Sequence, residues 1–194
     1  MPLTTPASRT LAHTRETIFR GYHRDDGLWD IEATLVDRKT HEFHRTAEVV
    51  PAGGHTHDMA IRLTIDDDMT VVAAEAVMDA KPFGECEAGQ APFQKIVGAR
   101  MGRGWRQAVE EAMGRDTGCT HLREMVSNMA TAAFQTLPAY KKFLRRQAGE
   151  AQAEAGKEPA YFMGRCIGWA FDGPVVARFY PKFIGWAAKQ RDKA

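Results

Sequence analysis

Arg24-Asp25-Asp26-Gly27-Leu28-Trp29-Asp30-Ile31-Glu32-Ala33-Thr34-Leu35 is the stretch on which the fold class turns. Trp29, Ile31, Ala33 and Leu35 alternate with Asp30, Glu32 and Thr34, the period of two expected of a strand with one buried face. Just upstream, Asp26-Gly27 supplies a pair that tolerates positive φ. The strand around Thr17 to Arg24 is therefore expected to turn directly into the next as an antiparallel hairpin.

Working outward, Met59, Ile61, Leu63 and Ile65 repeat the alternation. Asp66 to Asp68 then separate them from the apolar run Val71 to Met78, which reads as a second hairpin. Between the hairpins, Asp37 to Gly54 is polar and ends in Pro51 and Gly53-Gly54, the character of a long loop carrying a side chain toward a site.

After Pro82 the period changes. Trp105, Ala108, Val109, Ala112 and Met113 fall on one helical face, and Leu122, Met125, Val126, Met129, Ala133 and Phe134 form a longer stripe beginning after Gly118-Cys119-Thr120. Pro138 is expected to start a further helix, Ala139 to Ala148, with Lys141, Lys142, Arg145 and Arg146 on a solvated face. Ala151 to Glu158 is rich in alanine, glutamate and glycine, and Tyr161 to Tyr180 mixes aromatics around an Asp172-Gly173-Pro174 turn. The expectation is one α+β domain over residues 1–194: an antiparallel N-terminal sheet of about four strands at 10–80, helices at 90–150 packed on it, and a segment at 159–186 packing back.

Composition narrows the function classes. Lysine plus arginine number 26 and aspartate plus glutamate 25, so there is no broad basic footprint for nucleic acid. No stretch approaches the roughly 20 apolar residues of a bilayer span, and the N-terminus lacks a signal-like apolar run. Cys86, Cys119 and Cys166 are odd in number and far apart, as for reduced thiols, so a cytoplasmic protein is expected. Its partner should be a small molecule or a protein, and a homo-oligomer is compatible with the sequence.

Three groups of residues could carry chemistry. Tyr22, Arg24, Trp29, Asp30 and Glu32 gather around the first hairpin, although Asp25 and Asp26 serve equally as turn residues. Asp30 and Glu32 share a strand face and could act as a carboxylate pair or partner Arg62; a solvated sheet face explains them as well. His55 and His57 flank the start of the third strand, where a pair at i and i+2 is a weak metal signal and His57 alone could be a general base. Cys119 and His121 stand at the start of the strongest helix, where the dipole favours a thiolate and disfavours imidazolium; the commoner roles are a buried filler and a cap neighbour. A zinc site from Cys86, Cys119, His121 and Cys166 lacks C-x-x-C spacing and is the lesser alternative to no cofactor at all. The glycines around Arg100 and Arg103 match no nucleotide-binding loop.

Tyr22-x-Arg24-Asp25-Asp26-Gly27-Leu28-Trp29-Asp30-Ile31-Glu32, His57-x-Met59-x-Ile61-Arg62 and Gly118-Cys119-Thr120-His121-Leu122 together resemble the bacterial family called domain of unknown function 2889. The resemblance extends over about residues 10 to 180, including Cys166 and Tyr180-Pro181. It implies no defined reaction, only a loose association with breakdown of aromatic and acyl compounds, and it favours His57, Cys119 and His121 over His41, His44 and His55.

The resulting expectation is a cofactor-independent acid/base lyase in aromatic, lignin-type catabolism. His57, Asp30 and Arg62 would work on a phenolic substrate held by Tyr22, Arg24, Trp29 and Glu32. In its most concrete form the enzyme releases formaldehyde from a hydroxymethyl diaryl compound and leaves a stilbene-like alkene. The alternatives are a hydrolase or thioesterase using Cys119 with His121, and a binding module for an aromatic ligand.

Overall fold

The structure is a computed structural model that describes residues 3–45, 48–150, 158–160 and 162–186. The chain divides into two compact units, Met1–Leu144 and Arg145–Ala194. The first has the expected α+β architecture. Strands β1 (His13–His23), β2 (Trp29–Lys39), β5 (His55–Ile65) and β6 (Val71–Ala80) form one antiparallel sheet in the order β1-β2-β5-β6. A two-stranded ribbon, β3 (Phe43–His44) with β4 (Val49–Val50), lies in the connection between β2 and β5. The segment read as one long loop from Asp37 to Gly54 thus contributes three more residues to β2 and then folds on itself.

The first hairpin closes where Gly27 takes φ +83° and the Arg24 amide donates to the Leu28 carbonyl at 2.9 Å. The period of two then sorts the strands' residues onto two faces. Trp29, Ile31, Ala33 and Leu35 of β2 and Met59, Ile61, Leu63 and Ile65 of β5 are all buried. The residues between them, such as Asp30, Glu32 and Thr34, stay partly exposed on the other face. Each fully buried large aliphatic side chain contributes about 1.5–3 kcal/mol relative to exposure, so the alternation fixes which face the helices cover.

That cover consists of two 3-10 turns, Gly84–Gln90 and Pro92–Ile96, and helices α1 (Trp105–Met113) and α2 (Thr120–Gln147). Trp105, Val109, Ala112 and Met113 of α1 join Leu122, Met125, Val126, Met129 and Ala133 of α2 in the same core. The Trp105 indole Nε1–H donates to the Val126 carbonyl at 3.0 Å and ties the two helices together.

Pro138 does not begin a new helix; it lies inside α2, which runs unbroken to Gln147. Proline removes one intrahelical hydrogen bond, but Leu137 beside it is buried in the core, and that packing holds the helix on course.

Helix α2 runs alongside β1 in the same direction, with Glu124 beside Arg15, Thr136 over Gly21 and Tyr140 against His23. Gly21 is required by that approach. A Cβ there would sit 2.7 Å from Cβ of Thr136 and closer still to its Oγ1. Gly21→Ala should therefore lower stability by about 1–3 kcal/mol, the usual scale of overpacking, with part of the loss recovered in Gly21→Ala/Thr136→Gly. Urea midpoints of the single and double variants measure it, and a neutral single substitution would show that α2 sits farther from β1.

The second unit has its own small apolar cluster. Met163, Val176 and Phe183 are buried, with Trp169, Phe171, Tyr180 and Trp186 packed against them. The turn at Asp172-Gly173-Pro174 leads into a short helix, α3 (Pro174–Phe179), as its proline at the first helical position favours. The stretch at 151–157 and Tyr161 lie outside the described residues.

Candidate functional site

The buried row of β2 ends in a charge. Trp29, Ile31, Ala33 and Leu35 face the helices, and the next residue of the same parity is Asp37, only 2% exposed. Register supplies its partners, because Asp37 stands directly opposite Arg15 of β1 on one side and His57 of β5 on the other. A carboxylate in that position needs such neighbours, since burying one unpaired is prohibitive.

Four hydrogen bonds surround it. The Arg15 guanidinium grips Asp37 with two nitrogens, Nε to Oδ1 at 2.9 Å and Nη2 to Oδ2 at 2.8 Å. His13 Nε2 lies 2.8 Å from Oδ1 and His57 Nδ1 lies 2.9 Å from Oδ2. Burial alone would raise the pKa of this carboxyl, but the Arg15 bond and charge, helped by His13 and His57, bring it down to about 2. Asp37 is ionised at neutral pH and can only accept, so His57 must present a proton on Nδ1.

Burial pushes the His57 pKa below its usual value; Asp37 opposes this, and the charges of Arg15 and Arg45 reinforce it. The imidazole is therefore neutral at pH 7, and with Nδ1 protonated its Nε2 carries the free lone pair. That Nε2 is buried without a hydrogen-bond partner. The ring of His121, from the first turn of α2, packs against the His57 ring with centroids 4.1 Å apart. Burial first, then His57 and Arg15, lower the His121 pKa as well. Cys119, just before the helix, completes the group with Sγ 3.9 Å from His121 Nδ1.

Of the residues singled out in the sequence, the structure thus brings His57, His121 and Cys119 together and places Asp30, Glu32, Arg62, Tyr22 and Arg24 elsewhere. Strand parity explains the division. His57 is on the helix-facing side of β5, whereas Arg62 is on the opposite side and five residues farther along, about 16 Å of strand. Arg62 pairs across strands with Glu32 at 2.9 Å and Glu75 at 3.2 Å, a ladder on the outer face. Asp30 accepts from Thr64 at 2.7 Å and from Arg24 at 3.3 Å, while Arg24 also grips Asp26 in the hairpin turn. These are the structural roles that turn and sheet-face residues ordinarily take.

Tyr22 and Trp29 do not form a shared wall either. Tyr22 stands opposite Asp30 on the outer face, while Trp29 is 1% exposed in the core, its Nε1–H donating to Asp67 at 3.0 Å.

Asp37, His13 and Arg15 are the residues that sequence reading missed. The available signal was the parity of β2 carried one step past Leu35, where an aspartate falls in a row of hydrophobic residues.

A family model described as a protein of unknown function (DUF2889) matches residues 13–135. The chain belongs to that family. Every member of the Asp37 cluster lies within the matched DUF2889 stretch, whereas Cys166 and Tyr180-Pro181 fall beyond it. No curated protein and no solved structure matches the chain. No helix among the described residues is long and apolar enough to cross a membrane.

Asp37, His57 and His121 offer donor atoms within 4.8 Å of one another, a grouping able to hold a metal ion. Against that use, both Asp37 oxygens are already engaged and one partner is a guanidinium, which a metal would have to displace or sit beside. The donors that fit an ion without this conflict are the two imidazoles, with Asp37 orienting His57 from behind.

Proposed function

We propose that this DUF2889 protein is an acid/base enzyme in which His57 is the proton acceptor and Asp37 its orienting partner. The observation that carries the reading is the buried, unpartnered Nε2 of a neutral imidazole whose other nitrogen is fixed on a carboxylate. Proton transfer needs such a lone pair, held in one tautomer and within hydrogen-bond reach of a reacting group. His121, whose ring centroid lies 4.1 Å from that of His57, would serve as a second proton-transfer group.

The specific reaction proposed is a carbon–carbon lyase on a phenolic diaryl compound carrying a hydroxymethyl group. Loss of water from a benzylic alcohol of the phenol generates a quinone methide. His57 Nε2 takes the hydroxymethyl proton, and the carbon–carbon bond breaks to release formaldehyde. Its electrons form the alkene and restore the phenolate, so the products are a stilbene, formaldehyde and water. The aromatic part of this proposal rests on the family association, since Tyr22 and Trp29 face opposite sides of the sheet. The chemistry itself needs no redox group or nucleotide.

The contact between Cys119 and His121 favours a second reading, a thiol hydrolase: His121 takes the Cys119 proton, the thiolate attacks an aryl or acyl thioester, the leaving thiol departs with that proton, and water then releases the acid from Cys119.

A formaldehyde and ultraviolet-absorbance assay with hydroxymethyl diaryl phenols separates the two. Formaldehyde with stoichiometric alkene, undiminished by iodoacetamide, is expected for the lyase. Iodoacetamide inactivation with an acyl adduct on Cys119 by mass spectrometry would replace it with the hydrolase. Loss of activity on chelation would assign the imidazoles to a metal, and saturable binding without product would make the protein a binding module.

A further inference from the structure

A cavity whose lining includes neither Asp37 nor His57 lies between the β3–β4 ribbon and the end of β6, with a volume of about 560 Å³. That is within the range of small-molecule sites. Val49, Val50, Pro51 and Phe83 give its mixed lining an apolar part, and two of these side chains, Val49 at 51% and Phe83 at 58% exposed, are open to solvent.

Arg45 also lines it. This side chain is only 6% exposed, and its guanidinium donates to the Thr56 carbonyl, to the Lys81 carbonyl at 2.9 Å and to the Glu48 carboxylate at 2.6 Å. Its Nε–H is buried and has no acceptor. A buried cation therefore faces one carboxylate, itself 58% exposed, and keeps one donor unsatisfied. Leaving such a donor unmatched is costly, and a carboxylate that enters the cavity in place of the exposed Glu48 side chain would bring the guanidinium a second acceptor oxygen. The other ionisable groups lining the cavity are Lys81, ion-paired to Glu87 at 2.6 Å, His55, whose Nδ1 lies 2.7 Å from the Asp58 carboxylate, and the exposed Asp79. The two acids, Glu48 and Asp79, keep the cavity from attracting dianions, which argues for a single negative charge.

We infer that this cavity binds a small monocarboxylate with an apolar body, the body held between Val49, Pro51 and Phe83 and the carboxylate on Arg45. Glu48 is the competing carboxylate, already seated on the same guanidinium. The inference is independent of the role of His57, although the Arg45 bond to Thr56 ties the cavity to the residue before His57.

Calorimetry on the full chain with 2-naphthoate and its neutral isostere 2-naphthamide tests it, together with the Arg45 Nε–H resonance in nitrogen-15-labelled protein. Saturable 2-naphthoate binding that moves this resonance, with 2-naphthamide at least about tenfold weaker, is expected from one charge-assisted hydrogen bond. Glu48→Gln should tighten 2-naphthoate several-fold and leave 2-naphthamide unchanged, while Phe83→Ala weakens both. Glu48 and Phe83 are exposed, so these variants keep the fold. Equal affinity for the two compounds, no binding of 2-naphthoate, or no response to Glu48→Gln would overturn the inference.

Discussion

Asp37→Asn should reduce turnover by about 10²–10⁴-fold, the range contributed by a positioned proton-transfer group, and lower stability by about 2 kcal/mol at neutral pH. The substitution preserves size and changes only what the oxygens and their replacement can offer. Asparagine brings one acceptor and one donor to a position where Arg15, His13 and His57 all present nitrogens. If its amide donates to His57, the imidazole proton moves to Nε2 and the lone pair needed for proton abstraction disappears. The stability estimate follows from the fall of the Asp37 pKa from 3.8 to about 2 on folding, at about 1.4 kcal/mol per pH unit.

The sign is fixed by that direction. A carboxyl whose pKa falls on folding stabilises the native state above its unfolded value and loses the contribution as pH drops through the folded one. The difference between wild type and Asp37→Asn in urea midpoint should thus be full above about pH 4 and narrow toward pH 2. A constant difference across that window would mean that the carboxylate's charge contributes nothing.

His57→Gln should abolish most activity, again by about 10²–10⁴-fold, with little loss of stability because glutamine retains an N–H donor for Asp37. The pH profile of the wild type carries the sharper expectation. Since burial lowers the His57 pKa below 6.5, the acid limb of the rate profile should lie below pH 6.5, with activity rising as the imidazole loses its proton. Asp37 is the main group opposing that shift, so in Asp37→Asn the residual activity should show a limb displaced further to acid. His57 also contributes native stability above pH 6.5 that is lost as pH falls through its folded pKa, and His57→Gln should lack this loss. A limb above pH 6.5, or one that survives His57→Gln, would assign the titration to another group. Rate profiles over pH 4–9 for the three proteins decide the matter.

Much of the fold was legible because hydrophobic alternation and helical stripes are dense in this chain. Trp29 to Leu35, Met59 to Ile65 and Leu122 to Ala133 each repeat their period often enough to exclude the alternatives. Pro138 misled because local propensity was weighed without the tertiary contact made by Leu137. The site was half legible for a different reason. His57, Cys119 and His121 stand beside recognisable element starts, whereas Asp37 and Arg15 become significant only once register is known. Period two shows which residues share a face, not which cross-strand neighbours they acquire, and reading Asp30 and Arg62 as partners of His57 ignored that they have the opposite parity.

The row Arg15–Asp37–His57 crosses three strands in a single line of pairing. A slip of one residue in either pairing would turn one member of the row to the opposite face, leaving a buried carboxylate without its cation or without its imidazole. Misregistered molecules would thus be unstable and, on the proposed role of His57, inactive, so the row also selects the register in which the sheet assembles. Preparations refolded under conditions that permit slippage should contain no partly active species, only molecules that are fully competent or silent.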